Sequence, residues 1–134
     1  MVQCDFSFLA DYASEKGGYV TAHGIGVDFL TAPSLPATHP HIYLVAQFRC
    51  PAEEIGAKNL VLRLTDSSGQ TILEQAGTIQ FAPAGVSDSS VARLVLGFHM
   101  ITFHATGRND FHVEVDGHAL ARLPFTIFED APQG

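Results

Sequence analysis

A hydrophobic period of two, recurring along most of the chain, limits its possible folds more than any other feature. Apolar side chains at every second position mark half-buried β-strands, because successive side chains of a strand point to opposite faces. Leu60, Leu62 and Leu64 follow this rule, as do Ile42, Leu44, Ala46 and Phe48. So do Ala92, Leu94, Leu96 and Phe98, and Phe111, Val113 and Val115 alternate with His112 and Glu114. Only Pro51-Ala-Glu-Glu-Ile-Gly56 suits a helix, with proline and acids placed as a first turn needs them, and it is one turn at most.

Turn chemistry divides these runs. Asp66-Ser-Ser-Gly69 offers a side-chain cap and a glycine between Leu60–Thr65 and Thr71–Phe81, which predicts a hairpin. Asp116-Gly117 predicts a second hairpin between Phe111–Val115 and Ala119–Phe128. Gly24 and Gly26 mark a bend or bulge inside the long run Gly18–Leu30. Prolines 33, 36 and 40 make Ala32–Pro40 a loop, and Ala82–Asp88 is another. About eight strands with no long helices between them predict an all-β, antiparallel two-sheet sandwich. With 134 residues, and no repeat, linker or low-complexity tract, residues 1–134 form one domain able to bury its own core.

Composition narrows the function classes. Fourteen acidic against seven basic side chains give a formal charge of −7, which argues against nucleic acid as a partner. Charged residues are 16% and hydrophobic ones 46%, which excludes disorder. No run approaches the length of a membrane span, and Phe6–Ala10 is too short, and lacks the basic flank, for a signal core. The expected setting is cytoplasmic, with no membrane partner. Cys4 and Cys50 then act as small buried hydrophobes; a single disulfide and a reactive thiolate are the alternatives.

The motifs that would carry chemistry are thin. His39-Pro-His41 places two imidazoles at the spacing that lets a strand point both one way, but no third ligand has a recognisable spacing. Solvated loop histidines are the expectation there. His112 shares the outward side of its strand with Glu114, as an exposed cross-strand partner. Gly24-Ile-Gly26 lacks the third glycine and following helix of a dinucleotide site, and Asp66-x-x-Gly69 lacks the oxygen ligands of a calcium loop. The pairs Glu53-Glu54 and Glu129-Asp130 diverge in direction, and no serine has a motif tying it to a histidine. No catalytic residue, cofactor-binding residue or metal ligand is assigned.

Several segments together resemble a family of small bacterial proteins of unknown function. These are Cys4-Asp5 leading to Leu9-Ala-Asp-Tyr-Ala13, Gly18-Tyr-Val with His23-Gly-Ile-Gly26, and Phe29-Leu-Thr-Ala-Pro33 with Leu35-Pro-Ala37. Val113-Glu-Val-Asp-Gly117 with Ala121-Arg-Leu-Pro-Phe125 completes the set. The resemblance spans nearly the whole chain and implies an immunoglobulin-like β-sandwich in a bacterial cytosol, with no catalytic residues. Such sandwiches often carry a corner tyrosine two residues after a glycine, where this chain has Asn109 after Gly107. Asn109 is expected to satisfy a turn amide instead.

Two functions of different class follow. The first is a non-catalytic binding or assembly module working through protein–protein contacts, most simply as a two-fold homodimer. Its basis is that Lys16 and Lys58 are the only lysines and lie outside the predicted strands, leaving edges without their usual guard. The second is a small-molecule or metal-binding sandwich, enzymatic in one version, with His23, Asp28, His39 and His41 gathered at a loop end.

Overall fold

The alternating runs build nine strands in a computed structural model that describes residues 1–82 and 89–129. In chain order they are β1 (Gln3–Lys16), β2 (Tyr19–Ile25), β3 (Phe29–Ala32), β4 (Ala37–Pro51) and β5 (Gly56–Thr65). There follow β6 (Thr71–Phe81), β7 (Ser89–Phe103), β8 (Gly107–Val115) and β9 (His118–Glu129). Ala52–Glu54, the segment with proline and acids, is a single 3₁₀ turn. One sheet has the order β2-β1-β4-β7 and the other β3-β9-β8-β5-β6. Of residues 82–88, read as a loop, only Ala82 is among the described residues.

The two sheets pack their apolar faces together, as the alternation requires. Ile42, Leu44, Ala46 and Phe48 of β4 meet Leu60, Leu62 and Leu64 of β5 and Phe111, Val113 and Val115 of β8 in one core cluster. Phe111 stacks between Phe98 and Phe125, with ring centroids 5.2 and 5.7 Å away. Among the described residues no helix is long and apolar enough to cross a membrane.

Four expectations are corrected. The run Gly18–Leu30 is two strands in different sheets, because Gly24 and Gly26 take positive φ and the Gly26 and Val27 amides both donate to the Leu9 carbonyl. After that crossing, β3 lies parallel to β9, so the second sheet is not wholly antiparallel. The proline loop is shorter than expected, since β4 begins at Ala37 and His39-Pro-His41 is strand. Proline has no N–H to give a ladder, and the β4–β7 ladder accordingly skips Pro40, pairing His39 with Ile101 and His41 with His99. Finally, both lysines lie in strands: Lys16 ends β1, paired with Tyr19, and Lys58 lies inside β5, and both strands are interior. Edge strands β2, β3, β6 and β7 still contain no lysine.

Candidate functional site: the outer face of the four-stranded sheet

The alternation that sends Leu44 and Ala46 inward sends Tyr43 and Val45 outward. Register then sets Tyr43 between Ala10 of β1 and Gly97 of β7, and Val45 between Phe8 and Val95. Ala10 and Val45 point away from the core, yet both are 0% exposed. The side chains around them bury them: this sheet has a second apolar layer on its water side.

Tyr43 is the centre of that layer. A methyl group at Gly97 would stand 2.5 Å from Tyr43 Cε1, so the ring lies over the glycine and needs its missing side chain. Tyr12 meets the ring edge-on at 5.2 Å, His99 at 5.8 Å and His41 at 6.2 Å. His39 continues the row beside His41, and His23 joins it beside Tyr12, each at 6.4 Å. Such edge-to-face aromatic packing adds to area burial. His41 Nδ1 donates to the Asp11 carbonyl at 2.6 Å, which fixes its tautomer when neutral, and the Asp11 carboxylate is 3.7 Å away. Burial pushes the pKa of His39 down, so this ring resists protonation. Phe6, Tyr12 and Ile25 are 42%, 47% and 62% exposed on this side of the molecule.

The outer face of the five-stranded sheet is built for water. Arg63 pairs with Glu74 and Glu114 at 3.5 and 3.4 Å. Arg122 grips Asp110 with two hydrogen bonds of 3.1 Å, and Arg108 adds a third at 3.2 Å. Burial raises the Asp110 pKa, and the hydrogen bonds from Arg122 and Arg108 more than reverse it, leaving the carboxyl below its ordinary range. His112 accompanies Glu114 there as expected, 3.0 Å from the Thr65 hydroxyl.

The structure divides the histidine–aspartate group expected at a loop end. His39 and His41 are neighbours on β4, half-buried strand residues rather than solvated loop ones, because Tyr43 and β7 pack beside them. His23 reaches the same face through Tyr12. Asp28 belongs elsewhere: it precedes β3, and its carbonyl accepts from the Thr126 amide at 3.0 Å. Among the described residues, no three His, Cys, Asp or Glu side chains are placed to hold a metal ion. Cys4 and Cys50 are free thiols, and burial raises both pKa values, away from a reactive thiolate. Sequence reasoning missed Tyr12, Tyr43, Gly97 and His99. The available signal was the shared parity of Phe6, Phe8, Ala10 and Tyr12, an apolar stripe along one side of β1.

Asn109 departs from expectation too. It accepts from no turn amide; its Nδ2 donates to the Gly107 carbonyl at 3.2 Å.

The model of a family of unknown function, DUF6941, matches residues 5–128. The chain belongs to this family. A comparison with the curated proteins returns no match. Among solved structures, the Pseudomonas fluorescens alkylpurine DNA glycosylase AlkC, bound to DNA containing an abasic site analog, is similar at a TM-score of 0.53 and 14% identity. That match covers 95% of this chain and 30% of the glycosylase chain, so it shows a shared fold alone.

Proposed function

We propose that this DUF6941 chain is a non-catalytic assembly module that pairs with a second copy of itself through the outer face of the four-stranded sheet. The observation that carries the reading is the contrast between the two outer faces. One is laced with ion pairs, while the other centres on rings and aliphatic side chains that already hide Ala10 and Val45. An apolar, aromatic patch rimmed by polar groups is the usual form of a protein contact. A second copy is the occupant because the face is self-complementary and its carboxylates are locally compensated, Asp5 by Arg49 and Asp11 by the neighbouring His41, so the formal −7 of each chain opposes pairing only at long range. A two-fold contact of this kind is self-complementary, setting the Tyr12–Tyr43 row of one protomer on its partner's. The two free thiols accord with a cytoplasmic setting.

Light scattering on the purified chain tests this reading. A mass of twice 14.4 kDa is expected at high micromolar concentration, and Tyr12→Glu and Ile25→Glu, each adding a charge to an exposed position, are expected to give stable monomers. A wild-type monomer throughout that range overturns it.

A further inference from the structure

A groove opens at one flank of the sandwich, between the end of β7 and the β5–β6 turn. Its volume is about 570 Å³, inside the range of small-molecule sites, and its lining includes Asp66, Ile72, Met100, Phe103, His104 and Asn109. Asn109 has the strand parity of Phe111 and Val113, both core residues, so its side chain is directed between the sheets and is only 2% exposed. Its Nδ2 is engaged by Gly107, but its Oδ1 has no hydrogen-bond partner in the protein. A buried acceptor without a donor costs stability, and a site that tolerates one is built to receive the donor from outside. Met100 on the rim adds a second, separate sign. It holds φ at 58°, a backbone conformation a methionine rarely adopts, and the residue is 67% exposed.

Charge sets the ligand class. No lysine or arginine lines the groove, and Asp66 stays anionic because the Ser68 hydroxyl and the Ser68 and Gln70 amides hydrogen-bond its Oδ1. An anion would meet the Asp66 carboxylate there, with only the imidazoles of His99 and His104 to offset its charge. We infer that the groove binds a small, non-anionic molecule that gives an N–H from a primary amide or an amine to Asn109 Oδ1. The molecule's apolar body lies along Met100 and Phe103. This site is on the flank of the sandwich and adjoins the sheet face proposed for self-pairing at His99.

Benzamide, benzylammonium and benzoate share one ring and differ in head group, which makes them the probes for an amide-resolved NMR titration of the whole protein. Benzamide and benzylammonium are expected to shift the signals of Asn109, of residues 100–104 and of residues 70–73, with saturation, while benzoate leaves them in place. Asn109→Leu, which removes the acceptor while filling its space, is expected to weaken benzamide roughly tenfold. Met100→Gly, whose backbone suits that φ, serves as a second variant and is expected to weaken it several-fold. Equal shifts with benzoate, shifts mapping elsewhere, no shift at the solubility limit, or undiminished binding in both variants each overturn the inference.

Discussion

At the scale of single residues, the outer layer depends on Gly97, whose φ is ordinary and whose role is space. Tyr12, His41 and His99 hem the Tyr43 ring in from three sides, so a methyl group at position 97 can displace it only toward solvent. Gly97→Ala is therefore expected to cost about 1–3 kcal/mol, the usual range for overpacking. Urea unfolding measures the loss, and the Tyr12–Tyr43 ring contact is expected to weaken in NMR. Asp110 makes a comparable argument on the other sheet. Its residue is 7% exposed, whereas Arg122 and Arg108 have side chains 60% and 56% exposed and can rehydrate when left alone. Asp110→Asn is expected to cost about 1.5–3 kcal/mol, the range for a hydrogen bond to a charged group. Because the folded pKa lies below the unfolded one, that contribution is complete above about pH 4 and is lost as pH falls further through the folded value. Stability measured from pH 6 down to pH 2 is expected to fall less steeply in the variant.

At the scale of elements, β7 is a 15-residue strand at a sheet edge whose only charged side chain is Arg93. An edge this long and this apolar is ordinarily blunted by charge or covered. If self-pairing uses the sheet face, alternate amides of β7, those directed away from β4, stay open to water. Hydrogen exchange is expected to find them fast in the dimer, while β4, paired on both sides, is slow. Slow exchange along both sets would place the contact on the edge instead. What the sequence made legible was local. Asp116 and Gly117 take φ of 50° and 80°, as a tight hairpin turn demands, and Asp116 Oδ1 also caps the Asn59 amide. Asp66 closes its turn through three hydrogen bonds to residues two and four positions on. The parallel β3–β9 pair, the Tyr43–Gly97 fit and the unpaired Asn109 oxygen were not legible. Each depends on which strands become neighbours across 30 or more residues, and alternation alone does not specify partners.

At the scale of the whole molecule, acid pulls self-association in two directions. Protonation lessens the −7 charge of each copy, which eases long-range repulsion, but it also places imidazolium groups within the contact. Distance decides between these effects. Charges spread over the surface act through water and are screened beyond about 8 Å at physiological salt, whereas an imidazolium in the contact loses its hydration directly. The groups that face His39 and His41 are Asp11, Tyr43 and His99, and of these only the carboxylate of Asp11 compensates a positive charge. His39 already has a lowered pKa from partial burial, and burial under a second copy lowers it further. The separated protomers then bind more protons than the dimer, so association is complete above about pH 6.5, the ordinary value for histidine, and is lost as pH falls. Sedimentation at pH 7.5 and 5.5 is expected to show at least about a tenfold weaker dimer in acid, one pKa unit of linkage being tenfold. Replacing both His39 and His41 with Gln is expected to remove most of that difference. An acid response that survives the double substitution would assign it to carboxylates elsewhere, and the row of rings around Tyr43 would no longer be the contact.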